Sequence, residues 1–331
     1  MHRRELGESG LKVSAIGLGC MGMSEFYGQA DQSAGIRSIH RAIDRGMTLI
    51  DTAPSFGAPS FGESANELLV GRALRGRRDS VVLATKFGFA GSGDDRVVDN
   101  SPAYIRRSVD ESLARLETDH IDLYYLYRRS PHVPIEEVVL TMKELVQAGK
   151  VRHLGLSEVS AETLRQANEI HPIAALQSEY SLLSRHIEDR ILPTARELGV
   201  GVVAYAPVAR GLLAGALTTL DGLEPNDLRR HQPRFQQGNL GQNLALVQRV
   251  RAVAEEVGCT TAQLALAWLL AKDDGIVPIP SSTSRRHVEE NAAAAEIVLS
   301  ARLVKELDEA IQPDEVIGDR NTAASLALME L

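Results

Sequence analysis

One pattern repeats along this chain from end to end: a short β-branched or aliphatic run, a polar turn, then a longer segment whose apolar residues fall three and four apart. Eight such runs, at residues 13–17, 47–51, 81–86, 121–126, 152–156, 175–178, 201–205 and 276–279, read as strands. Eight segments, at 33–45, 66–74, 102–116, 135–147, 161–170, 188–198, 244–257 and 286–295, read as the helices that alternate with them. Local signals agree. Ser101-Pro102 is an N-cap followed by proline at the first helical position, and Gly46, Gly149, Gly199 and Gly258 each stand where a helix should end. Val81-Val82-Leu83-Ala84 and Val200-Gly201-Val202-Val203-Ala204 are apolar throughout rather than alternating, as parallel strands covered on both faces must be.

Eight strand-helix units without a composition break or a Pro/Gly/Ser-rich linker predict an α/β protein: residues 1–331 as one domain, folded as a closed (β/α)8 TIM barrel. Two departures interrupt the alternation. Residues 209–242 form a long polar connection after strand seven, and loops of that length in compact domains usually carry function. Residues 261–271 are an extra apolar helix in the C-terminal half, with the single tryptophan, Trp268, expected in the core.

Charge and composition then exclude whole classes of activity. Lys plus Arg number 36 against 44 Asp plus Glu, a net charge of −8 with no basic block, so no nucleic-acid partner is expected. The chain opens Met-His-Arg-Arg without an apolar leader and contains no apolar stretch of membrane-spanning length; the expectation is a cytoplasmic protein with no membrane contact. Cys20 and Cys259 are too few and too distant for a disulfide framework or a thiolate metal site, and both are expected to serve packing, with no metal. Oligomeric state leaves no trace in the sequence.

A barrel of this kind places its chemistry at the carboxyl ends of the strands. Those ends carry Gly19-Cys20-Met21-Gly22, Asp51-Thr52-Ala53, Lys86-Phe87-Gly88, Tyr127-Arg128-Arg129, Ser157-Glu158, Gln177-Ser178-Glu179, Tyr205-Ala206-Pro207 and Ser281-Ser282. Asp51 and Lys86 emerge from apolar strands at one level of neighbouring strands. A desolvated ion costs several kcal/mol unless compensated, so the two pair, either as a structural ion pair or as functional groups. Gly17-Leu18-Gly19-Cys20-Met21-Gly22 satisfies the dinucleotide fingerprint G-x-G-x-x-G, but that motif must open a helix at once, and here the next helix starts near Ser33. It reads as a tight loop at a strand end.

With these stretches in view, the chain resembles the aldo-keto reductases over essentially its whole length. The matching segments are Leu11-Lys12-Val13-Ser14-Ala15-Ile16-Gly17-Leu18-Gly19, Asp51-Thr52-Ala53, Ala84-Thr85-Lys86-Phe87-Gly88, Ile121-Asp122-Leu123-Tyr124-Tyr125-Leu126, Gly155-Leu156-Ser157-Glu158, Gln177-Ser178-Glu179-Tyr180-Ser181 and Glu289-Glu290-Asn291. The resemblance implies a barrel oxidoreductase that passes hydride from a nicotinamide cofactor, usually NADPH, to a small-molecule carbonyl. An Asp, a Tyr, a Lys and a His surround the reacting centre in that family. Asp51 and Lys86 match the first and third. Phe56 stands where the family has the proton-donating tyrosine, and Tyr127 where it has the histidine.

Phenylalanine has no ionisable proton, and losing a general acid costs roughly 10² to 10⁴-fold. Two readings of Tyr127 follow: it donates the proton from another wall, or it lines the pocket with no proton role. Substrates that need less proton donation, such as iminium ions or enones, fit such a site.

The cofactor side is implied to include Met21, Gly22 and Asp51, with Ser157 and Gln177 on the carboxamide and Tyr205 stacked on the nicotinamide. Pro207, Val208, Arg210, Gly211 and Leu212 resemble the loop over the pyrophosphate, with Ala206 and Ala209 replacing the more usual Ser and Gly. Beyond Pro280, Ser282 and Arg285 or Arg286 stand near the expected 2′-phosphate, although Ser281 and His287 occupy positions where the family commonly has basic residues. Glu290 and Asn291 match the adenine side, so NADPH is expected in preference to NADH. Tyr27 and His132 lie on loops within reach of the mouth.

Three functions are open on the sequence: an NADPH-dependent reductase with an atypical proton-donor pair, a cofactor-binding sensor or scaffold without turnover, and a non-redox acid-base enzyme such as a dehydratase or cyclase. The loops at 58–63, 128–134 and 222–241 carry no readable code for the substrate.

Overall fold

A computed structural model of the chain describes residues 1–24, 27, 31–57, 64–91, 96–215 and 217–330; the expected pocket loop 58–63 and the residues 25, 26 and 28 that follow the glycine-rich loop lie outside them. Eight parallel strands pair in chain order: Leu18–Gly19, Leu49–Asp51, Val82–Phe87, Ile121–Leu126, Val151–Ser157, Ile173–Glu179, Gly201–Tyr205 and Ile276–Pro278. The ring closes where Gly17 N donates to Pro278 O at 2.9 Å and Gly19 N to Pro280 O at 3.2 Å. Barrel and parallel sheet are as the sequence predicts.

The first strand is a correction. Residues 13–17 were expected to form it, but Lys12–Ser14 pairs antiparallel with Arg3–Glu5, and only Leu18–Gly19 joins the barrel beside Leu49–Asp51. The apolar run has two tasks. Leu6, Leu11 and Val13 pack with the inward residues Leu49, Ala84, Leu123, Tyr125, Val203 and Val277, so the hairpin stops the barrel at its amino end. A continuous apolar segment hides the point at which one task passes to the next.

The helices form where their signals stand. Ser101 caps Pro102–Leu116 by accepting from Tyr104 N, and Gly46, Gly149, Gly199 and Gly258 all take positive φ after their helices. Helix six is shorter than expected, Ile191–Glu197, because the chain from 185 first turns to send Arg185 onto Glu188. Helix seven is longer, Asn239–Val257.

The extra helix Thr261–Lys272 is opened by a capping box between Thr260 and Gln263; Trp268 is fully buried within it, 5.3 Å from the Tyr180 ring. A further helix, Ala301–Ala310, precedes a tail that returns across the barrel, with Glu330 N donating to Glu158 O at 3.0 Å. Among the described residues no helix is long and apolar enough to cross a membrane.

Inside the barrel one close approach needs glycine. A Cβ at Gly155 would lie 2.4 Å from the Tyr125 ring, so the absence of a side chain there lets Tyr125 fill the lumen beneath the site.

Candidate active site

Asp51 ends the second barrel strand in register with Ala84, two residues before Lys86 on the third. Lys86 Nζ donates to Asp51 Oδ1 at 2.6 Å and to Thr52 O at 2.9 Å. Gln177, on the sixth strand, reaches across the lumen to donate Nε2 to Asp51 Oδ2 at 2.8 Å. Asp51 is 3% exposed and Lys86 1%. Burial pulls the Lys86 ammonium below its usual pKa, Asp51 opposes that pull, and nearby Arg128 adds to it. The expected pairing of these two charges is present.

Three aromatic rings surround the ammonium. Their centroids lie 5.3 Å (Phe56), 5.5 Å (Tyr125) and 5.8 Å (Tyr127) from Nζ. Phe56 meets Tyr127 edge-on at 6.1 Å, and Phe89 does so at 5.2 Å. Asp51, Phe56, Lys86 and Tyr127 therefore meet around one point. Of the two tyrosines, Tyr125 is fully buried and burial pushes its pKa far up, whereas Tyr127 is only partly buried. The Cys20 thiol is also sealed and pushed up by burial, in keeping with a packing role.

Asn66, which sequence reasoning missed, ties the strand ends together. Its side chain accepts from Thr52 Oγ1 at 2.6 Å and donates to Cys20 O at 2.8 Å and Ser24 Oγ at 2.6 Å, while its backbone N donates to Phe56 O at 3.1 Å. Asn66 thus fixes the turn that carries Phe56.

Opposite this wall, Ser157 Oγ accepts from Arg128 Nη1 at 3.3 Å, and Tyr205 is partly exposed at the end of the seventh strand. Ala206, Ala209, Arg210 and Gly211 all take left-handed φ, between 48° and 97°, which folds the loop containing Pro207, Val208 and Leu212 over the strand end. Arg210 Nη2 sits 3.3 Å from the buried Glu179 carboxylate; burial lowers the guanidinium pKa, but Glu179 overrides it and holds the charge.

The Met21–Met23 turn and Gly22 abut the eighth strand's loop, where a side chain on Gly22 would come 3.0 Å from Ser281 Oγ and 3.1 Å from the Tyr27 ring. Ser282 Oγ accepts from Ser284 N at 3.0 Å, just before the helix Arg285–Ala293. Arg285 is held by Glu289 at 2.9 Å; Arg286 is exposed and meets the His287 ring at 3.0 Å. Glu290 accepts from Thr260 Oγ1 at 2.6 Å, and Asn291 is buried. His132 stays exposed.

The largest omission of sequence reasoning is the lid of charges above the mouth. Arg320 Nη1 and Nη2 pair with Glu158 at 3.1 and 2.5 Å, and Glu330 pairs with Arg129. No periodicity signals contacts between residues so far apart in the chain.

Comparison with known proteins agrees with this architecture. The aldo/keto reductase family pattern matches residues 15–312. A protein from Glycine max named probable aldo-keto reductase 1 is 42% identical over 319 residues, which is 96% of this chain and 90% of that one. The structure of glycerol dehydrogenase AKR11B4 from Gluconobacter oxydans superposes with a TM-score of 0.83 at 31% identity, covering 93% of this chain and 94% of that one. The holo form of aldo-keto reductase AKR11C1 from Bacillus halodurans gives 0.78 at 29% identity, over 95% and 97%. Together with the closed barrel, these matches show that the chain belongs to the aldo/keto reductase family of oxidoreductases, which bind nicotinamide cofactors, typically NADP(H), and act on small molecules.

Proposed function

We propose that the protein is an NADPH-dependent reductase of small molecules carrying a carbonyl, an imine or iminium group, or an activated C=C bond, and that Tyr127 supplies the proton that Phe56 cannot. The observation that carries this reading is the buried Asp51–Lys86 pair beside the ring of the partly exposed Tyr127, with Nζ 5.8 Å from its centroid.

A cofactor fits the residues present. The left-handed backbone at Ala206, Ala209, Arg210 and Gly211 forms a curved loop suited to a pyrophosphate, and Gly22 lies so close to Ser281 and the Tyr27 ring that any larger residue would crowd the two strand-end loops. Ser157 and Gln177 would hold the carboxamide, Tyr205 would stack on the ring, and Met21 would border it. Ser282, Arg286, Glu290 and Asn291 would hold the adenosine end. Arg286 is the guanidinium of its loop without a carboxylate partner among the described residues, which suits a 2′-phosphate and hence NADPH rather than NADH. When bound, the cofactor supplies a hydride to the electrophilic carbon.

The chain's own residues do the rest. An ammonium has three donors, and Lys86 spends one on Asp51 and one on Thr52, leaving the third for the aromatic wall among the described residues. Gln177 and Lys86 together hold both Asp51 oxygens, so the carboxylate stays fixed. As the phenolic proton leaves Tyr127 for the substrate heteroatom, the cation at Lys86 stabilises the charge left on the ring. Tyr125, sealed beneath, excludes water from below.

A second reading has its own motive: Phe56 presents a bare ring to Lys86 at 5.3 Å, as a cofactor-binding protein without turnover would tolerate. Incubation of the purified protein with NADPH and a panel of aldehydes, ketones, imines and enones separates the two. The reductase reading requires cofactor oxidation with at least one class; tight NADPH binding with none of them favours the second reading.

A further inference from the structure

Arg128 and Arg320 are both buried, 7% and 8% exposed, and they differ in company. Arg320 grips Glu158. Arg128 has no carboxylate within 4.0 Å among the described residues; its Nη1 donates to its neighbour's carbonyl, Tyr127 O, at 2.6 Å and to Ser157 Oγ at 3.3 Å, and its other nitrogens have no protein acceptor there. A buried cation with no carboxylate in contact among the described residues, and only the more distant field of Glu158, is a cost to the fold. It also lies near enough to Lys86 to push that ammonium toward its neutral form, so the mouth gathers cations in a chain that is otherwise net negative.

A second guanidinium borders the same wall. Arg96 donates Nη2 to Ser55 O at 3.2 Å, next to Phe56, while its Nε is enclosed without a partner among the described residues. The guanidinium carbons of Arg128 and Arg96 stand 4.5 Å from the Tyr127 ring and 5.8 Å from the Phe89 ring, and those rings touch edge-on. Arginine stacked on an aromatic face keeps its donor edge free for a planar, bidentate partner.

We propose that Arg128, assisted by Arg96, binds a carboxylate carried by the substrate, so that the substrate class is an oxo acid: an aldehyde or ketone that also bears a carboxylate. This specificity rests on the proposed reductase reading for its second half, but the anion site stands on its own. The carboxylate binds through charge-assisted hydrogen bonds and the aromatic box around Tyr127 takes the apolar body. Hydride would enter the carbonyl carbon from NADPH and the proton would enter its oxygen, leaving a hydroxy acid and NADP⁺.

The test needs no turnover. Benzoate and uncharged benzyl alcohol are titrated by calorimetry into the NADP⁺-loaded protein, or into the cofactor-free protein if NADP⁺ itself does not bind, which would count against the reductase reading alone. Benzoate should bind the more tightly, Arg128→Gln should weaken it at least about tenfold, and Arg128→Lys should weaken it less because the charge remains. Arg96→Gln should produce a smaller loss. The melting temperature of Arg128→Gln should equal or exceed that of the parent, since the variant removes an uncompensated charge. A benzoate affinity no greater than that of benzyl alcohol, or unchanged by Arg128→Gln, would overturn the proposal, as would a fall in NADP⁺ affinity parallel to that for benzoate or a clear drop in melting temperature.

Discussion

Asp51 and Asp122 are equally buried, at 3% exposure each, yet they stand at opposite ends of their strands and in opposite company. Asp122 lies near the amino end of the strand Ile121–Leu126, where Arg78 reaches it at 2.7 Å, Arg152 at 2.9 Å and Leu83 N at 2.9 Å, with His120 at 3.6 Å. Asp51 lies at the carboxyl end of its strand with a lysine and an amide as its side-chain partners. The first carboxylate is saturated and ties Arg78, in the turn before Val82–Phe87, and Arg152, on the strand Val151–Ser157, to the strand between them. The second holds one ammonium at the edge of a partly open aromatic wall. Equal burial therefore says nothing about role, whereas the number of partners and the end of the strand do.

If that contrast holds, neutralising each site should break different properties. Asp51→Asn with Lys86→Met removes both charges together, so no ion is stranded; turnover should fall roughly 10² to 10⁴-fold while the melting temperature stays close to the parent's. Steady-state kinetics and a thermal melt on the same sample check both halves. Asp122→Ala should do the reverse: about 1 to 3 kcal/mol lost in urea unfolding, because the buried Leu83 N–H loses its acceptor and Arg78 its partner, with kcat unchanged in the folded fraction.

A smaller effect separates the lid from both. His186 sits beside Arg320, Arg234, Glu158 and Glu179, and neither ring nitrogen has a partner among the described residues. Burial, with help from the arginines, lowers its pKa from 6.5 to about 4. The unfolded chain therefore takes up a proton that the folded ring refuses as the pH falls from 6.5 to about 4, and stability drops across that window. Above 6.5 the ring is neutral in both states and contributes no slope. His186→Gln should flatten the loss of stability between those limits, as read from urea midpoints along a pH series.

Much of this was legible in the chain. Apolar runs that end abruptly in a charge locate both a strand and its catalytic end, which is why Asp51 and Lys86 could be paired from sequence. The same signal failed at the first strand, where one apolar run serves both the plugging hairpin and Leu18–Gly19. The helix Ala301–Ala310 escaped notice; of its residues Leu307 is the buried one, and its apolar face is narrow. Arg128 stands in plain view next to Tyr127, but burial without a carboxylate in contact among the described residues is a property of the folded chain, set by where Glu158 makes its close pair. Glu158 makes that pair with Arg320, and ionic contacts of that range have no period to betray them.

What most needs deciding is whether Tyr127, rather than Phe56, delivers the proton, as proposed. NADPH oxidation in the parent, in Tyr127→Phe and in Tyr127→Phe with Phe56→Tyr, each assayed with the best substrate of the panel and with its cofactor affinity measured alongside, decides it. Tyr127→Phe should lose at least about 10²-fold in kcat while binding NADPH as before, and adding Phe56→Tyr to it should restore much of that loss. A Tyr127→Phe enzyme that turns over as fast as the parent would contradict the claim and leave Tyr127 as a lining residue of the pocket.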